Sequence, residues 1–543
     1  MGMNSLAIQT EQRTIRDDRA AAARPFVTEP VPWRLSPRAI AWRLFLTCWV
    51  VYSLHFATDI SREHYLAFAI GDHFSFRVDE YHGLHPDLFE KPGYGWHIGN
   101  NPGVSMFAAI PYAVSRPIIE PISRRLLQQR VASGQTAPPV YDSPRPKARE
   151  FFAEAWRRGL DIKLGLGALV IQLLFTAPIS ALAVTFLFSV LRLVVRSDRT
   201  ALWLSVLFAF GTPVFLRTGY VNHNLILGFI AFAGLVTMWN PGASRRWSTR
   251  TRYLLAGLAG GTTVLFDYSG VVFLLGLFTY GLVKRWRGAP DRSGRTGHVV
   301  THGAWYVLGS VPPILLLWFY QWRSFGNPFL PGQNWMPPVE WIDRGYKGYG
   351  APQAELLWSL AFDHRYGLFV TTPLLLLALA SPWVNRGARQ LLPALEQWTM
   401  LGLFVALWVF FSGNNYTRLQ WTFGIRYMTP IAIFLFIPAS LVLIRLRVRL
   451  AYLITVSSVL VAWAMAMHRL MRDPYGVLQP LLRLFAGGFA LPALTTLEQT
   501  GEFRQFMPHG ANPLPLFLLT AALLYALWAP HFDARVGTRH PAA

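Results

Sequence analysis

Apolar runs long enough to cross a membrane recur along the whole chain, and short polar or basic connections separate them. One helical crossing of a bilayer core needs about 20 mostly apolar residues. The pattern therefore predicts an all-α polytopic membrane protein. Twelve spans are predicted, at residues 40–57, 165–191, 200–216, 224–239, 253–267, 269–283, 302–320, 366–383, 397–412, 427–444, 451–467 and 513–529.

The basic residues fall mainly on one side of these spans. Cytoplasmic connections of membrane proteins are enriched in Lys and Arg, and clusters such as "SRRWSTRTR" (244–252) and "RLRVR" (445–449) fit that side. With the N-terminus inside, the short outer connections are poor in basic residues. We therefore predict a multi-pass membrane protein with both termini in the cytoplasm. The 45 Arg against 5 Lys fit a GC-rich bacterial genome, so the expected location is the bacterial cytoplasmic (inner) membrane.

This orientation divides the chain into four parts. The predicted parts are a cytoplasmic tail (1–39), a transmembrane domain (40–440) with large outer loops at 58–164 and 321–365, C-terminal transmembrane helices (441–530) with an outer loop at 468–512, and a second cytoplasmic tail (531–543).

Two further apolar stretches are predicted not to span. Residues 102–122 contain Pro111, Pro117 and Pro121 together with Arg116 and Glu120, which favours a helix lying at the outer interface. Residues 475–494 are interrupted by Arg483 and a glycine pair, which favours an interfacial or re-entrant segment.

Composition and motifs exclude several classes of function. The net charge of +22 is explained by the basic ends of the spans, and no basic helix or aromatic-basic pattern of a nucleic-acid module occurs. The one cysteine, Cys48, cannot form an internal disulfide. No histidine pair has zinc-site spacing with supporting cysteines, so we expect no structural zinc. No Walker A or nucleophile-elbow motif is present, so ATP hydrolysis is not expected.

Polar residues gather in the two large outer loops, where aromatic residues and glycines interleave with them. Polar clusters in membrane proteins mark functional regions because burying them in lipid is costly. Aromatic rings with carboxylates and amides suit a sugar, and Arg or Lys suits a phosphate. The alternative is that these are ordinary polar loops with interfacial Trp and Tyr anchors.

Several stretches, in this order, resemble elements of bacterial membrane glycosyltransferases of the GT-C fold. They are "DISREHYLAFAIGDHFSF", "GWHIGNNPGVSMFAAIPYAV", "LFAFGTPVFLRTGYVNHNLILGF", "GLAGGTTVLFDYSGVVFLL", "SFGNPFLPG", "AFDHRYGLFVTTPLLLL" and "NNYTRLQWTFGIRYMTPI". The similarity covers most of residues 40–440, and "FEKP" is similar to a motif of aminoarabinose transferases. The resemblance, which extends to dolichyl-phosphate-mannose-protein mannosyltransferases, implies a GT-C-type helical bundle.

The resemblance also implies a reaction. Such enzymes move a sugar from a polyprenyl-phosphate carrier to a hydroxyl of a glycan, lipid or protein acceptor on the extracytoplasmic side. Some members use a divalent cation, Mg²⁺ or Mn²⁺. A transporter or flippase of lipid-linked sugars is one alternative, although it would place ionisable residues at mid-membrane, where this chain has few. An inactive GT-C relative that serves as an envelope-assembly scaffold is another.

The resemblance assigns roles to nine residues. Asp59 takes the position of the general base, and Glu63, one helical turn along, is its nearest substitute. The residues expected to bind substrate are Arg62, Lys91, His97, Asn100, His223, Arg365 and Arg426. Relatives often carry Lys where this chain has Asn100, and Lys91 is its expected replacement.

Two acidic residues have structural alternatives. Asp59 is also a favourable N-cap for the helix "SREHYLAFAI". In its role as base, Asp59 is expected to share a helical face with Arg62, which would keep it ionised. Asp267, in the short connection "DYS", is interpreted as a turn residue rather than a catalytic one.

Overall fold

The computed structural model describes residues 35–244, 246–288, 295–337, 345–418, 423–469, 475–507 and 510–529. The described part is mostly helical and contains one two-stranded antiparallel sheet. Most of the predicted first tail and all of the second lie outside the described residues.

The first half of the chain contains α1 (Pro37–Leu54), α2 (Arg62–His73), α3 (Gly103–Ala132), α4 (Pro146–Arg157), α5 (Asp161–Val195), α6 (Asp198–Phe210), α7 (Pro213–Arg217), α8 (His223–Trp239), α9 (Thr249–Phe266) and α10 (Gly270–Arg287). The sheet consists of β1 (Leu88–Lys91) and β2 (Gly95–Ile98). The second half contains α11 (Arg295–Phe325), α12 (Ala354–Phe362), α13 (Leu368–Thr371), α14 (Leu377–Val384), α15 (Ala394–Ser412), α16 (Ala432–Leu443), α17 (Val448–Met467), α18 (Leu478–Gly487), α19 (Pro492–Gln499), α20 (Gly501–Arg504) and α21 (Leu514–Trp528).

Helix is present at each of the twelve predicted span positions, although residues 366–383 form a broken helix interrupted before Pro373. Within the described residues, four helices, α5, α11, α15 and α17, are long and apolar enough to cross a membrane by length and composition. The pair α18 and α19, bent by 67°, adds a fifth if it is one broken span. The number of twelve spans therefore stays a prediction.

Residues 58–164 fold into packed helices and the small hairpin rather than an open loop. The predicted interfacial stretch 102–122 lies within α3, whose interior holds Pro111, Pro117 and Pro121. Helix α2 packs closely on α3, since a Cβ on Gly71 would lie 2.6 Å from the Tyr112 ring. This packing leaves the first turn of α2 at the edge of a large cavity.

The C-terminal segment packs against the chain at residues 140–142. The backbone N–H of Asp142 donates to Gln499 O at 2.7 Å, and that of Gly501 donates to Val140 O at 2.8 Å. A buried Thr500 pairs with Tyr141 in the bridge between them. The α18–α19 pair and α20 thereby close one side of the cavity.

Helices α9 and α11 touch along glycines. A Cβ on Gly257 would overlap the carbonyl oxygen of Tyr306, and one on Gly309 would overlap that of Leu254. Small residues allow such close backbone approach between membrane helices. Because α9 ends directly before Asp267, this contact fixes the position of that carboxylate.

We predict that Gly257→Ala lowers the stability of the protein by about 1–3 kcal/mol, because the added methyl forces α9 and α11 apart. The matched control is Gly402→Ala in α15, where nothing lies within 4 Å of an added Cβ and alanine favours helix. Thermal unfolding of detergent-purified protein measures both. Equal midpoints for the two variants would contradict the prediction.

Candidate active site

A cavity of about 1640 Å³ opens between helices α2 to α5 and the C-terminal segment. Its ionisable lining residues are Asp59, Arg62, Glu63, His85, Asp87, Arg130, Arg145, Lys147, Asp161, His223, Asp267, Arg426, His468, Arg469 and Arg483. Asn100 and the tyrosines Tyr220, Tyr349, Tyr416 and Tyr427 also line it. Of the nine residues predicted for the site, six line this cavity.

Helix α2 begins at Arg62, and its N-cap is Ser61. The backbone N–H of Ser61 donates to His64 Nδ1 at 3.0 Å, and the two residues form a capping box. The alternative role of Asp59 as the N-cap is therefore wrong. With Ser61 as the cap, the first turn of α2 presents Arg62 and Glu63 to the cavity.

Glu63 is the most connected acidic residue of the site. Its Oε1 accepts a hydrogen bond from Asn100 Nδ2 at 2.8 Å and lies 3.0 Å from His223 Nδ1 and 3.5 Å from Arg62 Nε. Burial by itself would raise the pKa of Glu63. The charge of Arg62 and the hydrogen bond from His223 outweigh burial and hold that pKa well below its usual range.

Arg62 lies between Glu63 and Asp87 and forms an ion pair with each. Burial disfavours its charge, but the two carboxylates outweigh burial and raise the pKa of Arg62. Burial likewise opposes the charge of Asp87, and Arg62 outweighs it and lowers the pKa of Asp87. The expected pairing of Arg62 with Asp59 is absent among the described contacts, because Asp59 precedes the helix and lies off its face.

Asp59 has two cationic neighbours from other parts of the chain. Its Oδ2 lies 3.7 Å from Arg469 Nη2, and its Oδ1 lies 3.9 Å from Arg145 Nη1. Next to it, the hydroxyls of Thr58 and Thr496 are hydrogen-bonded at 2.7 Å. The Asp59 side chain is 41% exposed, so its carboxylate is accessible from the cavity.

Asp267 contacts the ring nitrogen of His223 that does not contact Glu63. His223 Nε2 lies 3.5 Å from Asp267 Oδ2, so the imidazole bridges two carboxylates. Asp267 Oδ1 also accepts the backbone N–H of Ser269 at 2.8 Å, as expected of a turn residue. The sequence signal for the contact of Asp267 with His223 is an acidic residue in the very short connection "DYS".

The turn at Asn100–Gly103 holds these groups together. Asn101 Nδ2 donates to Val264 O at 2.6 Å, and a Cβ on Gly103 would lie 2.5 Å from the Phe266 ring. The turn therefore docks on the end of α9. This contact brings Asn100 and Asp267 to the same part of the cavity.

The remaining predicted residues divide into two groups. Arg426 lines the cavity, donates to the Tyr427 hydroxyl at 2.6 Å and lies 4.7 Å from the centre of that ring. Lys91, His97 and Arg365 lie elsewhere in the described part of the chain. Lys91 lies over the Trp335 ring, both ring nitrogens of His97 contact backbone carbonyls, and Arg365 pairs with Asp363 at 3.1 Å.

One group of potential metal ligands occurs within the described residues, formed by Asp72, His73 and Glu80. Lys163 Nζ lies 2.9 Å from Asp72 and 3.0 Å from Glu80, and the Tyr112 hydroxyl donates to Asp72 at 3.0 Å. The carboxylates are thus already compensated by a cation. The arrangement fits a structural ion-pair network better than a Mg²⁺ or Mn²⁺ site.

Apolar side chains form another flank of the cavity. They come from α3, α4, α5 and α20 and are Ile122, Leu126, Phe151, Phe152, Leu166 and Phe503. A ligand with both a charged head and a hydrocarbon chain can therefore be accommodated along one continuous surface.

Residues 170–322 match the model of the dolichyl-phosphate-mannose-protein mannosyltransferase family. This match confirms the resemblance to GT-C-type enzymes over that part of the chain, which includes His223 and Asp267. It indicates a membrane glycosyltransferase of the GT-C kind. No curated protein and no solved structure matches the chain.

We predict that Glu63→Gln lowers stability by about 3–5 kcal/mol at neutral pH, because it breaks a buried ionic network. Since the folded-state pKa of Glu63 is depressed, its contribution is present above the unfolded value of about 4.3 and is lost as pH falls through the folded value. The difference in unfolding midpoint between wild type and variant should therefore shrink toward pH 3.

The matched control is Glu154→Gln, which neutralises an exposed carboxylate paired with Arg157 on α4. Exposed pairs contribute at most about 1 kcal/mol, so this variant should unfold close to the wild type at every pH. A difference for Glu63→Gln that stays constant from pH 7 to pH 3 would argue against an ionised Glu63.

Proposed function

We propose that this protein transfers a sugar from a polyprenyl-phosphate carrier to an acceptor hydroxyl on the extracytoplasmic side of a bacterial inner membrane. The cavity is the observation that carries the proposal. It combines carboxylates, guanidinium groups and tyrosines with an apolar flank, and it includes part of the family-matched region. Those are the groups that a lipid-linked sugar phosphate requires.

The donor occupies the cavity with its hydrocarbon chain against the apolar flank. Arg426, whose side chain is oriented by Tyr427, contacts the phosphate. Tyr349 and Tyr416 offer ring faces to the sugar. Lys91, His97 and Arg365, which lie away from the cavity, support the outer segments rather than contact the donor.

Asp59 is the proposed general base. It accepts the proton of the acceptor hydroxyl as that oxygen attacks the anomeric carbon, and the bond from this carbon to the phosphate oxygen breaks. Polyprenyl phosphate leaves with the bonding electrons, and its charge faces Arg426. Asp59 suits this role better than Glu63 because it is open to the cavity, whereas Glu63 Oε1 already accepts from Asn100 and contacts His223.

Glu63, His223 and Asp267 hold the inner side of the site. The chain of contacts from Glu63 through His223 to Asp267 fixes the imidazole between two carboxylates. Asn100 is oriented by the same carboxylate and is available to a sugar hydroxyl. We assign these residues to sugar binding, with Glu63 as the substitute base.

The proposal is tested by incubating the purified protein with a panel of polyprenyl-phosphate sugars and measuring release of polyprenyl phosphate. We predict that Asp59→Asn loses at least about a hundred-fold in turnover while donor binding is unchanged, because the base is removed and the size is kept. Ser61 caps α2, so the variant should fold. Near-normal turnover of Asp59→Asn would move the base to Glu63. Translocation without release would indicate a flippase.

We also predict that Arg426→Gln weakens binding of the lipid donor roughly ten- to a hundred-fold, the loss of one charge-assisted contact. Arg365→Gln is the matched control, since Arg365 is paired with Asp363 away from the cavity. Titration of both variants with a polyprenyl phosphate measures the effect. Equal affinities for the two variants would exclude Arg426 from the phosphate site.

A further inference from the structure

The charged residues of the cavity are unevenly distributed. One side is formed by α2, residues 84–87, the turn at residue 100, the connection between α9 and α10, and residues 426–427, and it holds Arg62 and Arg426 against Glu63, Asp87 and Asp267. We call the other side the basic wall. It is formed by the cavity-lining residues within 57–59, 122–166, 467–469 and 483–503, and the charged residues among them are Arg130, Arg145, Lys147, Arg469 and Arg483 against Asp59 and Asp161.

Part of the basic wall is internally compensated. Arg130 and Asp161, both mostly buried, form a bidentate ion pair with a closest distance of 2.9 Å. The buried Arg469 lies next to Asp59 at 3.7 Å and over the Tyr220 ring. Arg145 and Lys147 add two further positive charges to the two acidic residues and their partners described on this wall.

The charges of Arg145 and Lys147 lie where the acceptor must bind. A general base has to be within hydrogen-bond reach of the hydroxyl it deprotonates. Arg145 is within 3.9 Å of Asp59, and Lys147 follows two residues later at the start of α4. A molecule whose hydroxyl meets Asp59 therefore has its neighbouring groups against these cations.

We propose that the basic wall is a subsite for an anionic group of the acceptor, a carboxylate or a phosphate, so that the acceptor is an acidic saccharide or glycolipid. This inference rests on the proposed function, because it takes Asp59 as the base. Arg426, which lies outside the basic wall, binds the donor phosphate. An anionic acceptor places a compensating charge beside Arg145 and Lys147, which a neutral acceptor does not.

The test uses the full-length protein in a neutral detergent without any sugar donor. Methyl glucuronide and methyl glucoside differ only in a carboxylate against a hydroxymethyl group, and calorimetric titration compares them. The wild type should bind the glucuronide at least ten-fold more tightly, and added salt should reduce this preference. Arg145→Gln/Lys147→Gln should abolish the preference, whereas Arg426→Gln should keep it.

A matched double variant, Arg125→Gln/Arg157→Gln, removes two exposed charges of α3 and α4 outside the cavity and should behave as wild type. Undecaprenyl phosphate provides the second arm. Its binding should be weakened roughly ten- to a hundred-fold in Arg426→Gln and kept in Arg145→Gln/Lys147→Gln. The reverse pattern would assign the basic wall to the carrier phosphate and overturn the proposal, as would equal binding of the two glycosides by the wild type.

These binding results do not depend on turnover. If the wild type prefers the glucuronide through Arg145 and Lys147 but releases no polyprenyl phosphate from any donor, the anionic subsite stands and the transferase proposal fails. If turnover occurs without this preference, the transferase proposal stands and the subsite fails.

Discussion

The burial of the Glu63 carboxylate is the constraint on which the site depends. A carboxylate withdrawn from water is tolerated only if cations and hydrogen-bond donors replace its hydration. Arg62, Asn100 and His223 supply these, and they come from three separate parts of the chain. Compensating this one buried charge therefore requires α2, the turn at Asn100 and the start of α8 to meet at one point.

In this arrangement, Glu63 is the fixed carboxylate and Asp59 is the accessible one. Glu63 is held by several partners, and His223 is fixed between it and Asp267. Asp59, four residues earlier, lies outside the helix, and within the described part of the chain its ion-pair contacts are the long ones with Arg145 and Arg469. A buried, fully bonded group can organise ligands, whereas a group that must gain a proton has to remain open to them.

The sequence predicted the helices well because hydropathy is a local signal, and helix lies at every predicted span. It also placed Asp59, Glu63, Asn100, His223 and Arg426 near one another through the order of family-like motifs. It could not predict that Arg62 pairs with Asp87 or that Arg469 reaches Asp59, because these contacts depend on tertiary packing. The prediction that Lys91 and Arg365 bind substrate rests on their positions in motifs, and a motif does not show where a side chain packs.

The backbone pairing of residues 140–142 with 499–501 has a consequence for biogenesis. A nascent membrane protein is inserted from its N-terminus onward. The segment that carries Asp59 and Glu63 is thus synthesised long before its C-terminal partner leaves the ribosome. During that interval the cavity lacks one side, and Asp59 lacks Arg469. A polypeptide whose synthesis stalls before residue 469 would insert its first helices and still contain no assembled site.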